Sequence, residues 1–218
     1  MGSNLNLNYQ IEEYINSHSI KLHPVQYEII KYNETLGEIK KMQISISQCH
    51  FLHLIVKIIN PKNILEIGTF TGLSALTMGL AMNEKSKLTA LDKNKETSDV
   101  AISFFKKAKI DNKINLLINN AIVSLDHLHN QKKKFDFIFI DADKENYINY
   151  FNNSLNILNN NGIIVVDNVL WYGDVANQNK NDRLTLKIRE FNKFIKDDNR
   201  VESLILPIGD GLSVCRKK

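Results

Sequence analysis

Cysteine is scarce, with only Cys49 and Cys215 in 218 residues. Two cysteines in apolar stretches make no disulfide framework, and each reads as a small core residue. No apolar run is long enough to span a bilayer and no signal peptide is visible, so the expectation is a cytoplasmic chain with no membrane partner. Gly2 is followed by Asn6 where myristoylation needs Ser or Thr, so no lipid anchor is expected. The six histidines show no metal-ligand constellation. His50 and His53 stand at i, i+3 on a helix and read as face residues, which argues against zinc. The formal charge is only +4, and the clusters Lys132-Lys133-Lys134 and Arg216-Lys217-Lys218 have no aromatic residues interleaved. They read as solvated loop and terminus, and no nucleic-acid partner is expected. Asn159-Asn160-Asn161 likewise reads as loop solvation. There is no internal repeat and no linker.

What is present is 43% hydrophobic residues, enough for one domain with a real core. Leu22, Val25, Ile29 and Ile30 recur at helical spacing, as do Phe51, Leu54, Ile55 and Ile58, until Pro61 ends the region. Residues 1–60 therefore read as a helical arm and cap on a single domain, 1–218, whose α/β core is 61–218. In that core, short continuous apolar runs alternate with amphipathic ones. The runs are 63–68, 87–92, 113–118, 135–141 and 162–168, continuous as strands covered on both faces should be. The clearest helix between them is 144–158, with Tyr147, Tyr150, Phe151, Leu155 and Leu158 on one face. Such alternation predicts a mostly parallel, Rossmann-like sheet with right-handed crossovers and helices on both faces. Two final runs, 201–206 and 211–216, flank a Pro-Ile-Gly-Asp-Gly turn and predict an antiparallel hairpin at one edge.

Two halves of a site can be read along one edge of this sheet. In ILEIGTFTGLSAL (64–76) a strand runs into a turn bracketed by Gly68 and Gly72, then into a helix. The G-x-x-x-G spacing, preceded by Glu66, differs from the G-x-G-x-x-G of dinucleotide folds and suits S-adenosylmethionine, an uncharged sugar with an amino-acid tail. Asp92 closes the second strand, where a carboxylate can accept from ribose hydroxyls; the alternative is a cap for the helix near Asn94. Ala121 follows the third strand and would lie over the adenine. Asp141 and Asp167-Asn168 end the fourth and fifth strands. If these strands are neighbours, their ends lie about 4.8 Å apart and three hard oxygen donors converge, a set suited to Mg²⁺ or another divalent cation such as Ca²⁺ or Mn²⁺. The alternatives are a helix cap by Asp141 or Asp143 and a turn at Asp167-Asn168. Lys144 next to such a cation would have its pKa lowered toward that of a working base.

The stretches MQISISQ (42–48), LEIGTFTGLSAL (65–76), FIDADKENY (139–147), VVDNVLWYG (165–173) and LPIGDGL (206–212) resemble the cation-dependent O-methyltransferases of the caffeoyl-CoA and catechol type. The resemblance runs over nearly the whole chain after the first ~20 residues. It implies a seven-stranded methyltransferase sheet and a homodimer. It implies Asp141, Asp167 and Asn168 as metal ligands and Lys144 as the base. Around S-adenosylmethionine it implies Ile44, Glu66, Gly68, Ser74, Asp92, Ala121 and Asp141, and it sets Trp171 and Tyr172 beside the acceptor ring. Leu73 replaces the family's usual tyrosine. The loop 173–183 is polar rather than proline-rich, which favours a small catechol-like phenol over a coenzyme A thioester. An RNA or protein methyltransferase and a non-catalytic cofactor-binding module stay open as alternatives.

Overall fold

The computed structural model describes residues 8–218, so Gly2 and Asn6 lie outside the described residues. Among these residues, seven strands form one sheet: β1 (Asn63–Ile67), β2 (Lys87–Asp92), β3 (Ile114–Ile118), β4 (Phe135–Ile140), β5 (Leu158–Val166), β6 (Val201–Leu206) and β7 (Leu212–Lys217). Their order is β3-β2-β1-β4-β5-β7-β6. Strands β1 to β5 pair in parallel, while β7 runs antiparallel to β5 and to β6. The expected architecture and edge hairpin are both present. The strand order reverses between β1 and β4, and that is where an open α/β sheet forms its ligand crevice.

Among the described residues, eight α-helices surround the sheet: α1 (Tyr9–Ser17), α2 (Pro24–Glu34), α3 (Ile46–Ile59), α4 (Leu73–Ala81), α5 (Lys95–Lys107), α6 (Ala121–Asn130), α7 (Tyr147–Ile157) and α8 (Arg183–Lys196). One core layer joins α2, α3 and α4 to one sheet face through Ile29, Leu52, Val56, Leu76, Phe137 and Phe139. The other packs α6, α7 and α8 on the opposite face through Leu125, Tyr147, Phe151, Phe191 and Ile138. Each fully buried aliphatic or aromatic side chain in these layers contributes about 1.5–3 kcal/mol relative to exposure.

Three expectations need correction. First, α3 turns Cys49, Leu52 and Val56 inward and leaves Leu54 and Ile58 at 59% and 69% exposure. A helix with apolar residues on every side has no unique phase in sequence, so its inner stripe is set by packing. Second, Asn159-Asn160-Asn161 belongs to β5. The pairing jumps from Phe135↔Leu158 to Phe137↔Ile163, and Asn161 sits at φ 62°, a bulge conformation that asparagine tolerates. Third, Gly37–Ile59 does reach the length and apolarity of a membrane span. The backbone nevertheless breaks before α3, where Ser45 and Gln48 form a capping box, and the helix then docks on the core.

Candidate active site

The carboxyl ends of β1, β4 and β5 are held in step by backbone bonds. Asp141 N–H donates to the Ile67 carbonyl at 2.8 Å, and Asp167 N–H donates to the Ile140 carbonyl at 2.9 Å. Asp141 and Asp167 thus come one after another along the sheet edge, each at the first position beyond its strand. Gly68 makes this packing possible. It has φ +90°, and a Cβ there would stand 1.9 Å from the Asp141 carbonyl oxygen. The first glycine of the turn is therefore demanded by the backbone of β4 as much as by any ligand.

Asp141, Asp167 and Asn168 share one pattern. Asp141 Oδ1 accepts from Lys144 Nζ at 3.0 Å. Asp167 Oδ1 accepts from Gln48 Nε2 and from the Asn168 N–H, both at 2.6 Å. Asn168 Nδ2 donates to Asp210 Oδ2 at 3.4 Å. Each side chain is anchored by one polar atom and keeps one oxygen (Asp141 Oδ2, Asp167 Oδ2, Asn168 Oδ1) that no group among the described residues binds. Asn168 also holds φ 57°, a left-handed conformation that asparagine tolerates better than most residues. Among the described residues no trio of His, Cys, Asp or Glu could hold a metal. The donor set here is instead two carboxylates and an amide, which fits a hard cation.

The electrostatics agree with that fit. Asp167 is 2% exposed. Burial, and then Asp141 beside it, push its carboxyl up to about 8, against the pull of Lys144, the Asn168 N–H and Gln48. Two adjacent carboxylates in a dry place favour sharing a proton or a cation. Lys144 behaves otherwise than expected from the sequence. Burial pushes its ammonium down, but the Asp141 carboxylate and Tyr147 outweigh burial, and the net direction is up. The expected lowering depends on a cation's charge, and in the chain alone Asp141 holds the proton on Lys144.

The helix-cap alternative for the acids is not what the structure uses. Neither the short 3₁₀ turn Lys144–Asn146 nor α7 has a side-chain cap. Asp143 is bonded instead to Asn146 Nδ2 at 2.5 Å and Tyr150 Oη at 2.6 Å.

On the other side of the crevice, Glu66 is fully buried and neither of its carboxylate oxygens has a hydrogen-bond partner. Burial pushes it up to about 8, and the Ser74 and Thr69 hydroxyls, which fall short of full bonds to it, offset only part of that. A buried orphan carboxyl at the glycine turn fits a ligand that brings its own donors. Ser74, also buried, lies in the first turn of α4. Asp92 Oδ2 accepts from the Thr69 and Phe70 N–H groups at 2.9 and 2.8 Å, and Oδ1 accepts from Asn94 N–H at 2.9 Å. Asp92 thus ties down the glycine turn, and the cap of α5 is Asn94 itself. Ala121 opens α6 behind Asn120, half-buried at the end of β3. Ile44 is buried in the core just ahead of α3. Trp171 and Tyr172 stand 5.5 Å apart, centroid to centroid, both at positive φ, and Tyr172 is 74% exposed.

Glu66 gives a pH prediction. In the folded chain its carboxyl titrates near 8, against an ordinary value of 4.5. Between those values the native state holds a proton that the unfolded state releases, so stability falls as pH rises through the window and levels off above it. The slope from this group is at most about 1.4 kcal/mol per pH unit. Glu66→Gln removes it, so in ligand-free thermal melts the variant should gain on the parent from about pH 5 to 8. Parallel curves would refute the burial argument.

Sequence reasoning missed Gln48, Tyr147 and Asp210. The helical spacing marks Tyr147 as core, and its hydroxyl also donates to the Asp167 carbonyl at 2.8 Å. Asp210 accepts from the Tyr172 N–H at 2.5 Å as well as from Asn168.

A family model described as O-methyltransferase matches residues 16–218. A Dictyostelium discoideum protein named "Probable caffeoyl-CoA O-methyltransferase 2" is 40% identical over 214 residues, covering 97% of this chain and 90% of its own. The caffeoyl-CoA O-methyltransferase of Populus kitakamiensis is 35% identical over 189 residues, covering 83% and 80%. Among solved structures, an O-methyltransferase from Bacillus cereus in complex with SAH superposes with a TM-score of 0.88 at 29% identity, covering 96% of this chain and 97% of that one.

Proposed function

Because the chain belongs to the O-methyltransferase family, we propose that it methylates one hydroxyl of a small catechol-like acceptor, with a divalent cation between Asp141, Asp167 and Asn168. It is an S-adenosylmethionine-dependent O-methyltransferase of the caffeoyl-CoA type. The observation that carries the finer reading is the trio of side chains at adjacent strand ends, each anchored by one atom with one oxygen left over, next to Lys144.

When bound, the donor supplies an electrophilic methyl, and the cation supplies a two-point anchor that acidifies adjacent hydroxyls. The chain's own residues do the rest. Glu66, Ser74 and the Gly68 turn receive the donor, and Asp92 keeps that turn in place. Lys144 takes the proton from the acceptor hydroxyl, and burial favours its neutral form once Asp141 is otherwise engaged. Trp171 and Tyr172 flank the acceptor ring. Much of the acceleration comes from holding hydroxyl and methyl in near-attack geometry, a gain of up to ~7–11 kcal/mol when well oriented. The polar, exposed loop 173–183 supports a small phenol over a long thioester. Exposed Leu54 and Ile58 on α3 support a homodimer that covers them. We place the enzyme in the cytoplasm.

The test is a panel of phenols assayed for methyl transfer. Turnover is expected on acceptors with adjacent hydroxyls and not on matched rings with one isolated hydroxyl, because only a diol can make both anchoring contacts. Equal rates on the two classes would reject the diol reading.

A further inference from the structure

Gln48 lies on α3, in the helical arm, yet it is 3% exposed and its side chain reaches Asp167 at the end of β5. Its two amide ends are committed in opposite directions. Oε1 accepts from the Ser45 N–H at 2.7 Å, which closes the capping box of α3. Nε2 donates to Asp167 Oδ1 at 2.6 Å. With the Asn168 N–H on the same oxygen, Oδ1 is saturated from the protein side, and Oδ2 is the oxygen turned to the site. The turn between β6 and β7 backs this arrangement. Gly209 has φ +58°, and a Cβ there would stand 2.5 Å from Gln48 Cδ and 2.6 Å from Oε1. The glycine is bare where the glutamine amide passes.

We infer that Gln48 is the positioning residue for the cation site, fixing which oxygen of Asp167 faces it, and that Gly209 exists to let it reach. This rests on the cation reading of the site above. Side chains that orient metal ligands from behind commonly carry a 10- to 100-fold share of metal affinity. A buried carboxylate without its donor would also rotate, since nothing else holds Oδ1 except its neighbour's N–H.

The test is calorimetric titration of Mn²⁺ into the folded full-length chain, with no acceptor present, so the readout is not turnover. Gln48→Met keeps the length and packing of the side chain but has no N–H. It is expected to weaken Mn²⁺ binding about 10- to 100-fold. Gly209→Ala, from a segment far away in sequence, should weaken it in the same direction by pushing the amide off Asp167. Ser45→Ala strips the other half of the capping box, where Ser45 Oγ accepts from the Gln48 N–H, and leaves the Asp167 bond alone. Its affinity should match the parent's. If Gln48→Met binds Mn²⁺ as tightly as the parent, or if Ser45→Ala loses as much as Gln48→Met, the inference is overturned and Gln48 is only a helix cap. A parent chain that binds no Mn²⁺ overturns the cation reading itself, and this inference with it.

Discussion

Lys144→Ala is expected to lower turnover by about 10²–10⁴-fold, the usual share of a positioned proton acceptor, while donor affinity stays nearly unchanged. The geometry makes the separation clean. Lys144 sits at the mouth of α7, 3.0 Å from Asp141, with its side chain 14% exposed. The turn proposed to receive the donor is built from other groups, namely Glu66, Gly68 and Asp92. Lys144→Arg sharpens the prediction. Arginine restores the positive charge against Asp141 but does not give up its proton in proteins. If Lys144 moves a proton, the arginine variant is as slow as the alanine one. If Lys144 only neutralises Asp141, arginine restores the rate. Steady-state kinetics with calorimetry of the donor decides between them, and an unchanged turnover number in Lys144→Ala removes the base assignment altogether.

Much of the site was legible because strand ends announce themselves. FDFIFID and GIIVVDN are unbroken apolar runs that stop at an acid, so Asp141 and Asp167 had to emerge at a sheet edge, and parallel pairing made it the same edge. Gly68 and Asp92 were legible for the same reason, although the structure adds that each also serves the backbone: Gly68 clears the Asp141 carbonyl and Asp92 binds the glycine turn. Gln48 and Asp210 carry no such local mark. A polar residue in the first turn of a largely apolar helix and an acid between two glycines both look like surface positions. Their partners lie 119 and 42 residues away, distances that no periodicity spans. The phase of α3 was hidden for the opposite reason, because too many of its residues are apolar. The bulge in β5 was hidden because three asparagines resemble a turn, and only the pairings with β4 on either side of them, at Leu158 and Ile163, place them within the strand.

The second large effect is expected on removal of the proposed cation. In the chain alone, burial and the neighbouring Asp141 push Asp167 up to about 8, and Asp141 keeps Lys144 protonated. A site in that condition has neither a free base nor an anchor for two hydroxyls. The measurement that bears most directly on this is methyl transfer to a catechol by enzyme stripped with a chelator, then titrated with Mg²⁺. The rate should fall to the uncatalysed background on stripping and return in a saturable way as Mg²⁺ is restored. An identical rate in the stripped and the restored enzyme would contradict the role given to Asp141, Asp167 and Asn168, and with it the mechanism.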